Sequence, residues 1–169
     1  MDRFTLKPMS AEAIPSALAK AERYRLLNEP GEAESICLDV LQIDPHNEDA
    51  RIMLLLALTD QFPLDTSARI ISRANDLAAS LDDEYDRAYY SGIVRERRAK
   101  AVLQRDRFGA AAAAIEWLRE AMALYERAES VRPAHNDDSL LRWNACARLL
   151  TDLPEPAADL HEPEPLQLE

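Results

Sequence analysis

All-α is the fold class this sequence predicts, on three observations. Apolar residues recur at helical spacing along most of its 169 residues. Only three glycines occur, Gly31, Gly92 and Gly109, too few for the turns of an all-β chain. Alanine, leucine, arginine and glutamate dominate, and these are strong helix formers.

The first ten residues read as a flexible N-terminus, and a helical domain is expected over residues 11–153. Ser10 is the expected cap of a first helix carrying Ile14, Leu18, Ala21, Tyr24 and Leu27, with Pro15 early enough to be tolerated. Asn28-Glu29-Pro30-Gly31 punctuates the pattern. A second helix follows, with Ala33, Ile36, Cys37, Val40 and Leu41 inward, and Asp44-Pro45 ends it because a residue before proline avoids the helical region. Asn47 is expected to cap a third helix, with Glu48 and Asp49 at its positive end. Its run from Ile52 to Leu58 is nearly all apolar and is expected to be buried on several sides. Phe62-Pro63-Leu64-Asp65 breaks the chain before a fourth helix from about Thr66 to Leu81. Ser80 with Asp83 suggests a capping box for a long fifth helix, reaching about Arg107. Phe108-Gly109 separates it from a sixth, Ala110 to about Val131. Asn136-Asp137-Asp138 caps a seventh, Leu140 to Leu150. Residues 154–169 hold four prolines, five acidic side chains and no lysine or arginine, which predicts a disordered acidic tail.

Two segments share a spacing. Ala33, Cys37, Val40 and Pro45 stand at offsets of four, three and five, and Ala121, Tyr125, Ala128 and Pro133 repeat them. Tyr24 lies nine residues before Ala33, with Ala21 where close packing is needed. On these residues the chain resembles the tetratricopeptide (TPR) family of stacked helical hairpins. Small residues let two helices approach, an aromatic fills the space between units, and proline stops each unit. Pro45 and Pro133 are separated by 88 residues, two periods of 34 plus 20. A degenerate middle unit would place Leu55, Ser67, Ile71, Ala74 and Ala79 at the matching positions. The third unit, opening at Tyr85 and Ala88 or with Gly92 as its close-packing residue, would carry the extra length as an extended hairpin. The resemblance covers about Ile14 to Leu150 and implies a short solenoid of three hairpins, with the seventh helix as its cap.

The resemblance also implies a partner-binding groove on the first helix of each unit. Its residues would be Leu18, Glu22 and Arg25, then Ile52, Leu56 and Thr59, then Asp86 and Tyr90. The family's cationic clamp for a carboxylate tail is absent from these positions. The expected ligand is therefore an apolar or amphipathic protein segment, read by Leu18, Ile52, Met53, Leu56 and Tyr90. The competing reading makes the same residues core.

Other function classes find less in the sequence. A net charge of -11 counts against non-specific nucleic-acid coating, so nucleic acid is not the expected partner. The alternative retained is RNA, nucleoprotein or acidic-partner binding through the extended helix 83–107. There Arg87, Arg98 and Arg105 form one stripe with Arg95 beside it, and Arg97, Lys100 and Arg107 form another. The simpler account is a solvated face whose cations pair with Glu96, Asp106, Glu116 and Glu120, and a third option is that the acidic tail folds back onto it. No phosphate-binding glycine loop or metal-ligand spacing occurs, and His46, His135 and His161 fall in expected turns or the tail. Trp117, Trp143, Tyr89 and Tyr90 read as packing residues. No enzyme activity and no cofactor are expected. Cys37 and Cys146 read as buried thiols of a reducing, cytoplasmic setting. No membrane segment or signal peptide is expected, whereas self-association through the extended hairpin is a further possibility.

Overall fold

The structure, a computed structural model, describes residues 4–105 and 109–153. The expected tail at 154–169, with His161, lies outside the described residues, as do Asp106, Arg107 and Phe108. Among the described residues there are seven α-helices and no strands. A single 3-10 turn, Ala11–Ala13, leads into α1 (Ile14–Leu26). The others are α2 (Pro30–Ile43), α3 (Glu48–Asp60), α4 (Ala68–Ala79), α5 (Glu84–Gln104), α6 (Ala110–Ser130) and α7 (Asp138–Asp152).

The helix ends explain why these segments fold as they do. Asn47 caps α3 as expected, its side chain accepting from the amide of Ala50 at 2.9 Å. Pro30 opens α2 rather than preceding it, because a proline in the first turn loses no helical hydrogen bond. Ser10 precedes the 3-10 turn and makes no side-chain cap; the Ser16 hydroxyl instead donates to the carbonyl of Ala13. The expected pairing of Ser80 with Asp83 does not form. Ser80 closes α4 by donating to the carbonyl of Leu77, and Asp83 alone caps α5, accepting from the Asp86 amide at 3.1 Å. Asp65 accepts from the Ser67 amide at 2.8 Å, which shifts the start of α4 to Ala68. The turn into α7 is built on Asn136, whose side chain accepts from the Asp138 amide. Gly109 precedes α6 at a φ of 80°, in the left-handed region where glycine is unstrained.

Each helix packs on the next, and α1, α3 and α5 also pack in a row. The two 21-residue helices α5 and α6 form the most extensive pairing. The residues of the repeated spacing are buried: Ala33, Cys37 and Val40 on α2, and Ala121, Tyr125 and Ala128 on α6. The middle unit departs at one position. Ser67 lies exposed before α4 begins, while Ile71 and Ala74 are buried as expected.

The core has two main parts. One joins α1 to α4, with Ala21, Ala33, Leu55, Leu58, Phe62, Ile71 and Ala74 among its buried residues. The other joins α5, α6 and α7 through Ile93, Leu118, Ala121, Tyr125 and Cys146. Leu56 and Tyr90 pack against both parts. Gly92 sets the approach of α5 to α6, because a Cβ there would lie 2.5 Å from the Tyr125 ring. Gly92 is thus the close-packing residue of the long hairpin.

Candidate partner-binding groove

The row of α1, α3 and α5 leaves an open concavity along one side of the molecule. Two adjoining hollows make it up, and they share Glu22. The first, of about 460 Å³, is lined by Pro15, Leu18 and Ala19 of α1, Asp49, Ile52 and Met53 of α3, and Tyr90 of α5. The second, of about 350 Å³, continues toward the C-terminal ends of the same helices, past Arg25, Thr59, Asp60, Arg97 and Lys100.

Four of the five apolar residues expected in a groove therefore line this surface: Leu18, Ile52, Met53 and Tyr90. All four are half-buried and line the hollow, and Met53 and Tyr90 also pack against the core. Leu56 is also half-buried, but it joins the two parts of the core and does not line the hollow. Burial pushes the Tyr90 hydroxyl up to about 12, with Asp86 one turn earlier adding to the shift, so Tyr90 stays neutral and contributes an apolar ring face.

The second hollow holds a charge cluster that sequence reading did not assemble. The guanidinium of Arg25 donates twice to the Asp60 carboxylate, at 2.7 and 3.3 Å. Arg97 pairs with the same carboxylate and also donates to the Thr59 hydroxyl at 3.0 Å. One aspartate thus ties α1, α3 and α5 together at this end. The spacing that brings them together was available. Arg25 lies seven residues after Leu18, Asp60 seven after Met53, and Arg97 seven after Tyr90. Seven residues are about two turns, so each charge stands on the groove face of its helix. The registration of one helix on its neighbour is what sequence lacks.

The arginines of α5 have other partners. Arg95 pairs with Glu120 of α6 at 2.8 Å and donates to the Asn75 side chain of α4. Arg98 lies over the Trp117 ring, 3.9 Å from its centre. Arg105 donates to the carbonyls of Phe62 and Pro63 and to the Thr66 hydroxyl, holding the α3–α4 loop. Arg87 donates to the carbonyls of Leu81 and Asp82. The expected stripe is therefore spread over three neighbouring surfaces, each side chain engaged within the chain.

A second unanticipated feature lies in the long hairpin. Glu96 is fully buried between α5, α6 and α7. It accepts from the Tyr125 hydroxyl at 2.6 Å and from Arg142 at 3.3 Å, and it pairs with Lys100. Sequence reading placed Glu96 on a solvated face. Lys100 is one turn away on the same helix, but Tyr125 and Arg142 lie 29 and 46 residues away, beyond the reach of helical periodicity. Burial and the adjacent Glu96 carboxylate raise the Tyr125 hydroxyl above its ordinary value, so it remains the donor. Cys146 is buried beside this network and Cys37 lies in the other part of the core; burial pushes both thiols up to about 12.

Among the described residues, no group of three His, Cys, Asp or Glu side chains is arranged to hold a metal ion. No described helix is long and apolar enough to cross a membrane. Comparison with protein-family models, with curated proteins and with solved structures finds no match to this chain.

Proposed function

We propose that this protein is a non-catalytic interaction module, an adaptor or assembly factor, built as a short tetratricopeptide-like array. It acts in the cytoplasm by holding a segment of a protein partner in the groove of α1, α3 and α5. The observation that carries this reading is the open concavity itself. Leu18, Ile52, Met53 and Tyr90 are half-buried there without a covering element among the described residues. The stacking of α1, α3 and α5, and the burial of the repeated Ala33 and Ala121 signatures, support the family resemblance. The two buried free thiols are in keeping with a reducing compartment.

A groove of this kind suits a helix laid along it, because apolar side chains spaced three and four apart meet one continuous apolar floor. The floor supplies affinity, and the engaged charges around it exclude poorly matched partners.

The test is affinity capture from the native lysate with three forms of the full chain. These are the unaltered protein, Leu18→Gln/Ile52→Gln, and Arg95→Glu/Arg98→Glu. Both double variants replace residues that are at most half-buried, and each is checked for helix content and melting temperature. A partner held by the first and third forms and lost from the second supports the groove. A partner lost only from the third would place the working surface on the outer side of the long hairpin and contradict this reading.

A further inference from the structure

The charge around the groove is not evenly spread, and its distribution specifies the occupant. The hollow toward the helix N-termini is lined by Asp49, with Glu22 at its junction with the second hollow, and by no lysine or arginine. Asp86, four residues before Tyr90, stands at the same end. Burial raises its carboxyl, and the nearby Asp83 and Glu48 carboxylates raise it further. At the end formed by the helix C-termini, Arg25, Arg97 and Lys100 line the wall; Asp60 bridges the two arginines, Lys100 pairs with the buried Glu96, and Glu22 stands at the junction. Between the two ends lie Leu18, Ile52, Met53 and Tyr90. The acidic first turns of α3 and α5 and Arg25 in the last turn of α1 also suit the helix dipoles, whereas Arg97 and Lys100 lie before the last turn of α5. The dipoles do not require these side chains to line the concavity, as Asp49, Arg25, Arg97 and Lys100 do.

From this we propose that the groove takes an amphipathic helical segment of a protein partner in one orientation, its basic end at Asp49 and Asp86 and its acidic end at Arg25, Arg97 and Lys100. The inference rests on the groove reading above and adds the chemistry and polarity of the ligand. Length follows from the walls. The α1 and α3 helices have 13 residues each, so the floor is about 20 Å long and matches roughly three to four turns of an incoming helix. Apolar side chains on one face of that segment contact the floor, while its terminal charges meet opposite charge at both ends. The reversed segment places like charges together at both ends, and that repulsion sets the direction.

The experiment selects peptides from a displayed library of random 14-residue sequences on the full-length protein. The best is then synthesised together with a version in which the charges of its two ends are exchanged. Enriched peptides are expected to carry an apolar stripe with Lys or Arg at one end and Asp or Glu at the other. Exchange of the ends is expected to weaken binding by about tenfold at low salt and by less at high salt. Glu22→Gln/Asp49→Asn, both at exposed positions, is expected to remove most of the difference between the two peptides. A synthetic peptide of residues 154–169 runs as competitor, and sedimentation of the protein alone reports self-association. The proposal is overturned if no peptide is enriched, if end exchange changes nothing, or if the 154–169 peptide competes as well as the selected one. It is equally overturned if the protein dimerises and Leu18→Gln/Ile52→Gln abolishes the dimer. Peptides that bind regardless of end charge but require Leu18 and Ile52 would leave the groove standing without its polarity. Peptides indifferent to Leu18→Gln/Ile52→Gln would remove the groove itself.

Discussion

The two parts of the core solve the same packing problem with different chemistry. Helices α1 to α4 meet through small and aliphatic side chains, with Ala21, Ala33, Ala57 and Ala74 allowing close approach and Phe62 filling the end. The long hairpin and α7 instead enclose a charged group: Glu96, tied to Tyr125, Lys100 and Arg142. The first arrangement depends on volume and tolerates sliding of similar surfaces. The second fixes a single registration of three helices, because any slip would take the Tyr125 and Arg142 donors away from a buried carboxylate. Longer helices have more alternative registers to exclude. A polar lock is therefore best placed where the repeat departs most from its regular length.

Substitutions in each part sharpen this contrast. The largest loss is expected from Phe62→Ala, about 3–5 kcal/mol by chemical denaturation, because a fully buried ring leaves a cavity. Glu96→Ala comes next, at about 3 kcal/mol, since it strips partners from Tyr125, Arg142 and Lys100 together. Glu96→Gln is expected to recover part of this loss. A double-mutant cycle with Arg142→Ala will show coupling if the lock operates, and simple additivity would contradict it. Gly92→Ala follows, at about 1–3 kcal/mol, despite the better helix propensity of alanine, because the new methyl group would strike the immobile Tyr125 ring. Arg95→Ala, which breaks a partly exposed pair with Glu120, is expected to cost no more than about 0.5 kcal/mol.

The smallest difference between the two parts is expected at their thiols. Cys37 and Cys146 are both pushed up to about 12 by burial, from an unfolded value of 9.0. Above pH 9.0 the unfolded chain gives up the proton first, so the folded state binds more protons and stability falls with rising pH between 9.0 and about 12. Both thiols should also resist a thiol reagent at pH 8 until the chain unfolds, at matching rates. Fast labelling of Cys146 alone would mean that α7 opens independently.

The helices and their order were legible in the sequence, because helical periodicity, proline breaks and the Asn47 cap are all local signals. That Leu18, Ile52, Met53 and Tyr90 would line one common surface was legible through spacing and family resemblance together. Misplacements arose where local signals competed. Asp83 is sufficient to cap α5, so Ser80 was free to close α4. Glu96, Asp60 and Asp49 gave no such signal, for different reasons. A carboxylate among arginines reads as a surface group, and only the packing of α6 and α7 shows that Glu96 is enclosed. Asp60 and Asp49 acquire meaning only when α1 and α5 are set beside α3.

The central claim is that a partner lies along α1, α3 and α5, and site-specific photocrosslinking tests it most directly. A photoreactive amino acid is placed at Ala19, exposed on the groove wall, or at Arg119, exposed on α6. The account predicts partner adducts from position 19 and none from position 119. Adducts from position 119 alone, or equally from both, would contradict it.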